Sequence, residues 1–463
     1  MNSNLKLPFL KFLQPLQLWL RRWSHSCQAK FWQLMMPVQA WRDGSWLVRD
    51  RLLGCLLVIM IATLPFLENA QTGVIGAAAA IALLMLWLSD RRDLEAQSSP
   101  IYPPLLSYWC IAAIATLLSP VKMAALDGLI KLTIYMLAFV AMARVMRAGW
   151  RSILVGAYLI AALVASAYGV QQWYLGAPEL ATWTDPTSAS AGITRVYSFL
   201  GNPNLFAGFL MPALPLGAIA AVYWQSWGMK LLSALTAIMG AFCITQTQSR
   251  GGLIGLVVAS FALVILLIYW WGKRLPSWTL PAALGGMAGA IALGTIAVAP
   301  LRTRVLSIFG TADSSNAFRV NVWMSVVNMV KARPFLGIGP GNKAFNLIYP
   351  LYQRSGYSAL GAYSVPLELT VETGFIGVIC YGWLVITIFT QGWQILNRLR
   401  SDRHADGLLV IGAIATVSGM LAHGLFDTVW YRPQVQLLWW LAIALIESLY
   451  AAPVTPPLEE QGL

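Results

Sequence analysis

Between residues 52 and 450 the chain is a near-continuous succession of apolar runs, and that pattern restricts the fold more than any single motif. A helix needs roughly 17–25 mostly apolar residues to cross a bilayer, where its backbone polar groups must be satisfied within the segment. Runs of that kind fall at 52–67, 73–89, 104–119, 127–145, 152–171, 205–224, 230–247, 252–271, 280–299, 374–393, 407–424 and 434–450. They predict an all-α, polytopic integral membrane protein with about 12 transmembrane helices. Only 11% of residues are charged, where a soluble domain carries roughly a quarter. The 463 residues would suffice for about three soluble domains; this composition predicts a single transmembrane domain over 52–450 instead.

The net charge of +13 is spread through short loops rather than gathered in one block. That excludes a nucleic-acid reading and instead orients a membrane protein. With both termini cytoplasmic, the inner loops and helix ends hold Arg91, Arg92, Arg144, Arg147, Arg151, Lys230, Lys273, Arg274, Arg398, Arg400 and Arg403. The short outer loops hold only Lys122, Arg195, Arg250 and Arg432. Cationic loops kept inside give this asymmetry. Residues 1–51 read as a basic cytoplasmic or interfacial segment without a cleavage site, and 451–463 as a cytoplasmic tail. Cys27, Cys55, Cys110, Cys243 and Cys380 form no CxxC and no Cys/His cluster. No disulfide framework, metal site or cofactor is therefore predicted.

Two outer loops, about 172–204 and 300–373, far exceed the usual 2–8 residues between helices. The larger one is rich in aromatic and aliphatic residues, which argues for order. Within it, Val322, Val326 and Met329 recur at helical spacing, Ser314 and Ser315 suit a helix start, and Pro334 an end. This predicts a helix along the outer membrane surface, followed by a turn at GIGPGN, Gly337–Asn342. GNPN, Gly201–Asn204, reads as a turn whose Asn204 caps the sixth span.

Polar side chains collect on the outer side: Arg195, Arg250, Arg319, Glu368, Glu372, His423, Asp427 and Arg432. Guanidinium forks suit phosphate, so an outer cleft with several arginines would hold an anion such as bicarbonate or a lipid-linked pyrophosphate. The alternative for each arginine is an interface anchor. His423 and Asp427 in HGLFD, at i and i+4, read as a mutually satisfied pair or as a proton relay. Lys131 would snorkel or pair with Asp127. GIGPGN lacks the ending of a phosphate-binding P-loop, and no serine-triad or HExxH motif appears.

SRGG opening a span, R-x3-W in a large outer loop, "RPFLGIGPG" and an "ETG" tail resemble the O-antigen ligase and polymerase superfamily over about 190–450. The resemblance implies that Arg250 and Arg319 bind the pyrophosphate of a polyprenyl-linked glycan. It also implies a loop histidine that activates the acceptor, but that position holds Tyr363, followed by Ser364. Tyrosine titrates near about 10 rather than about 6.5, a poor base at neutral pH. Tyr363, Glu368 and Glu372 are thus the catalytic candidates, with Arg195 a third anion-binding arginine. RVYSFLGNPNLFAG, RVLSIFGTADSSNAFRVNVW, GIGPGNKAFNLIYPLYQ, AYSVPLEL and HGLFDTVWYRP more closely resemble the cyanobacterial IctB family, whose members are named bicarbonate transporters linked to inorganic-carbon accumulation. That resemblance implies transport or accumulation of bicarbonate, with the plasma membrane expected ahead of the thylakoid. Glycan transfer, or a non-catalytic accessory role, is the alternative. Membrane lipid and either a small anion or a lipid-linked glycan are the expected partners.

Overall fold

A computed structural model of the chain describes residues 39–89, 99–178, 195–298, 302 and 314–450. Residues 1–38 and 451–463 lie outside it, as do Cys27, the Arg91–Arg92 loop and parts of both long outer loops (179–194, 299–301 and 303–313). The described residues are helical, with no strand among them. Seven stretches are long and apolar enough to cross a membrane: Lys122–Leu175, Pro203–Tyr223, Trp227–Gln246, Arg250–Trp271, Thr279–Ala297, Val365–Ser401 and Gly407–Gly424. Shorter apolar helices fall at Asn69–Leu84, Tyr102–Leu117 and Pro433–Glu447.

In chain order, the helices are α1 Gln39–Thr63, α2 Asn69–Ser89, α3 Tyr102–Leu117, α4 Lys122–Val145 and α5 Arg151–Leu175. α6 Pro203–Leu210 and α7 Ala213–Tyr223 form one broken rod, followed by α8 Trp227–Gln246, α9 Arg250–Trp271 and α10 Thr279–Ala297. The large loop contributes α11 Ser314–Ala332 and α12 Asn342–Ile348, and α13 Val365–Ser401, α14 Gly407–Gly424 and α15 Pro433–Glu447 complete the bundle. α1 starts well before residue 52, so the expected boundary between N-terminal segment and membrane domain falls inside a helix. Apolar windows mark lipid-facing length, whereas a helix continues wherever the backbone permits.

α15 lies at the centre: every residue from Pro433 to Glu447 except Gln436 is buried. A helix apolar all round belongs inside a bundle, and α15 packs on α4, α6, α13 and α14. α9 runs along α14, where Gly255 and Gly419 allow close approach. A Cβ at Gly255 would lie 2.7 Å from the Gly419 carbonyl oxygen. α10 stands apart with no buried residue, as a span bathed in lipid would.

At one end of the bundle the predicted inner-loop cations meet one another's helices. Arg144 pairs with Asp50 at 2.9 Å and Arg151 with Asp406 at 3.3 Å. Arg147 reaches the buried carboxylate of Glu447, which also accepts from Ser99 and, at 3.0 Å, from Gln391. Arg398 donates to the carbonyls of Leu449 and Tyr450 after α15. These contacts gather at one end of the bundle.

The opposite face carries a second, smaller core: Val322, Val326, Met329, Ile338, Ala344, Phe345, Tyr349, Ala362 and Val371. The periodic stripe read in the large loop is thus the buried side of α11. It packs the loop onto the bundle.

Candidate functional site

The loop core depends on a break in α13. Gly374 has φ +67° and ψ −173°, outside the helical region. The break leaves carbonyls without their usual helical donors, and the glycine-rich turn supplies new ones. Ile338 N–H donates to the Val371 carbonyl at 2.8 Å and Gly339 N–H to that of Glu372 at 2.9 Å. Past the break, Phe375 N–H donates to the Pro334 carbonyl at 2.8 Å. A Cβ on Gly374 would lie 2.2 Å from the Phe335 carbonyl carbon. "RPFLGIGPG" and "ETG", read separately in the sequence, form one unit. Gly341 also touches Gly128 of α4, and Lys343 pairs with Asp127 at 2.8 Å. Lys131 pairs with the other oxygen of Asp127 at 2.7 Å.

Glu372 accepts Gly341 N–H at 2.6 Å and the Tyr431 hydroxyl at 3.0 Å. Burial and the nearby carboxylate push the Tyr431 hydroxyl well above its ordinary range, so it remains a donor. Glu368 accepts Ala362 N–H and stands behind Gly361, where a Cβ would come within 3.2 Å of its Oε2. Both glutamates are fully buried. They hold backbone in place, and neither lines the main chamber described below.

SRGG explains itself locally. Ser249 caps α9, accepting Gly252 N–H at 3.2 Å, and Arg250 follows at the first helical position. A Cβ on Gly251 would sit 2.7 Å from His423 Cδ2, so the glycine makes room for the α14 imidazole. Arg250 donates to Asn316 of α11.

Arg319, also on α11, lies 3.6 Å from Asp427 Oδ2, and its guanidinium stands 5.9 Å from the Tyr363 ring centre. Arg195 donates to the Thr247 carbonyl at 2.9 Å and to Asn204 Oδ1 at 3.1 Å. Burial pushes Arg195 down to about 10, with Arg319 and Arg250 acting in the same direction and Asp427 opposing. Arg195 thus has the other two arginines the sequence singled out, and Asp427, as electrostatic neighbours. Asp427 lies more than a hundred residues beyond the last of these arginines in sequence.

Asp427 also lines a chamber of about 400 Å³, whose wall includes none of Arg195, Arg250 and Arg319. Asn69, Asn202, Asn204, Asn342 and Asn346 line it with Lys131, Tyr135, Tyr363, Asp427 and Arg432. Asp427 is the one carboxylate on its wall. Residues 234–382 match the O-antigen ligase family. The match holds Arg250, Arg319, Tyr363 and the Gly374 break; Arg195, Asp427 and Arg432 lie beyond it. A search of curated proteins finds no match. Similarity to the ligases thus covers α9, the loop core and the first half of α13, and supports the wider ligase and polymerase superfamily.

Within this ligase-like frame Tyr363 occupies a costly conformation. Its φ of +51° is left-handed, as are those of Ser198 (+52°) and Gln248 (+53°). These are three of the four left-handed non-glycine residues described. They sit in AYSVPLEL, RVYSFLGNPN and TQSRGG, the segments that carry the site. Such strain, about 1–3 kcal/mol each, persists where surrounding structure imposes it, often at functional sites. Burial and Asp427 push the Tyr363 hydroxyl above its ordinary range, while Arg319 pulls the other way. It stays protonated at neutral pH.

Two sequence readings change. Asn202, not Asn204, caps α6, accepting from Asn204 N–H at 2.9 Å and Leu205 N–H at 3.1 Å. Pro203 at the first helical position fixes that start and frees Asn204 for Arg195. α14 ends at Gly424, so His423 and Asp427 do not share a helical face. Asp427 Oδ1 instead accepts the N–H groups of Thr428 and Val429, while His423 Nε2 has no hydrogen-bond partner among the described residues. Arg432, noted only as an outer-face cation, proves to line the chamber.

Proposed function

We propose that this face transfers a glycan from a polyprenyl pyrophosphate to an acceptor hydroxyl. The observation that carries the reading is Asp427 at the wall of an asparagine-lined chamber, paired there with Arg319 and within the field of Arg195, with Arg250 tied to the same α11 through Asn316. The ligase similarity over 234–382 agrees with it. Arg250 and Arg319 would stabilise the pyrophosphate as it leaves; fixed donors aimed at developing charge need little reorganisation. The acceptor oxygen attacks the anomeric carbon, the bond to the phosphate oxygen breaks, and its electron pair departs with the pyrophosphate. The acceptor proton goes to Asp427, the carboxylate facing the chamber. Amide side chains, each both donor and acceptor, suit sugar hydroxyls.

Bicarbonate accumulation is the second reading, favoured by one observation: Tyr363 stands where the resemblance expects an acceptor-activating histidine. Against it, the chamber is far larger than an anion of four heavy atoms. In either case we place the protein in the plasma membrane with twelve spans, both termini cytoplasmic and this face outside.

The test supplies purified protein in liposomes with a polyprenyl-pyrophosphate oligosaccharide and a saccharide acceptor carrying free hydroxyls, and separately with labelled bicarbonate. Release of polyprenyl pyrophosphate that Arg250→Ala and Arg319→Ala abolish is expected. Bicarbonate uptake without glycan turnover would replace this reading with the second.

A further inference from the structure

A second chamber, of about 620 Å³, opens beside the first and shares Asn69, Asn202 and Arg432 with it. Its remaining wall is Pro65 to Ala70, Phe199 to Gly201, Leu205 and Gln434. Three features make it a built site. The Arg432 guanidinium is exposed and makes no ion pair or hydrogen bond with any described residue, unlike Arg195, Arg250 and Arg319, which all have protein partners. Gln434 is 4% exposed, and its Nε2 donates to the Leu67 carbonyl at 3.2 Å. That leaves its Oε1 as a buried acceptor with no partner. Phe66 and Phe199 meet edge to face at 5.0 Å, yet each stays about half exposed.

We infer that this second chamber is the acceptor subsite, and that it takes an anionic saccharide. Arg432 receives the phosphate or carboxylate, reinforced by the positive end of α15, which begins at the next residue. Gln434 Oε1 accepts from a sugar hydroxyl, relieving an otherwise unpaired buried acceptor. The Phe66–Phe199 pair covers the apolar face of the ring. Asn69 and Asn202, common to both chambers, then mark the passage along which the acceptor hydroxyl reaches Asp427. Glu68 is the one carboxylate on this wall; it is exposed and not paired with Arg432. It weakens anion binding without cancelling it.

The inference rests on the transfer reading, but its test needs no turnover, so the two can fail separately. Binding of glucose 6-phosphate, glucuronate, glucose and inorganic phosphate to the detergent-purified full chain is measured by calorimetry. The expected order puts both acidic sugars ahead of glucose and of phosphate. Arg432→Gln should weaken the acidic sugars by about tenfold or more, Arg432→Lys should recover part of that, and Glu68→Gln should tighten them. Phe199→Leu should weaken the sugars and leave phosphate unchanged. Monodisperse elution shows that each variant is folded. Absence of acidic-sugar binding to the folded wild-type chain would overturn the assignment, as would affinities unchanged in Arg432→Gln. Phosphate binding as tightly as the acidic sugars would reduce the chamber to an anion site and overturn the saccharide.

Discussion

Replacing Gly374 by alanine should unfasten the loop core from the bundle. The backbone there lies where L side chains are strained, at a cost of about 1–3 kcal/mol. The new Cβ would also stand 2.2 Å from the Phe335 carbonyl carbon and oxygen and 2.5 Å from Leu336 N. Flexible side-chain ends can swing away; backbone cannot, so the whole RPFLGIGPG turn must retreat. The hydrogen bonds from Ile338 and Gly339 to Val371 and Glu372, and from Gly341 to the Glu372 carboxylate, go with it. At about 1 kcal/mol net for each bond, strain and lost bonds together reach roughly 4 kcal/mol. Gly285→Ala is the control: it lies in α10 with nothing near its missing Cβ, and alanine there should improve helix propensity by up to about 1 kcal/mol. The assay is thermal unfolding of the detergent-solubilised protein, followed by loss of the monodisperse elution peak. Gly374→Ala should melt well below wild type, with Gly285→Ala at or above it. Equal melting of the two variants would refute the idea that a broken helix and a glycine turn form one interlocked unit.

Two further outcomes follow from other parts of the molecule. Tyr363→Phe should leave the pH profile of glycan transfer unchanged across neutral and mildly alkaline conditions, because the hydroxyl is held protonated there; loss of an alkaline limb in the variant would make Tyr363 the base. Glu447→Ala strips the acceptor from Arg147, Ser99 and Gln391. Breaking a buried pair costs about 3–5 kcal/mol, and the partial exposure of Arg147 places this one near the lower end; the thermal assay reads it, and a wild-type melting point would show that the pair contributes nothing net.

The helices were legible because lipid imposes a period-free apolar length that any reader can count. That several of the loop cations would meet at one end of the bundle was legible for a similar reason, since loops report it one by one. Arg250 and Arg319 could be singled out by their motif frames. Their partners could not: Asn316 meets Arg250 and Asp427 meets Arg319 only through three-dimensional packing, Asp427 lying more than a hundred residues beyond Arg319. The His423–Asp427 spacing misled because an i, i+4 argument presumes that the helix continues, and α14 ends between the two. Asn202 was passed over for Asn204 because the cap depends on where Pro203 fixes the first turn. Arg432 carried no local signal at all. Its meaning comes from two chambers meeting at the start of α15.

The central placement of α15 has a consequence for biosynthesis. It leaves the ribosome after the other described helices, yet five of them pack against it and the Glu447 carboxylate at its end is buried. The helices before it therefore lack their central partner until it is made, with Arg147 awaiting its counter-ion until Glu447 follows. Both chambers draw wall residues from the segment just ahead of α15. A nascent chain thus has no assembled site until α15 arrives, and a ribosome that stalls before residue 433 leaves an open bundle with no chamber to load.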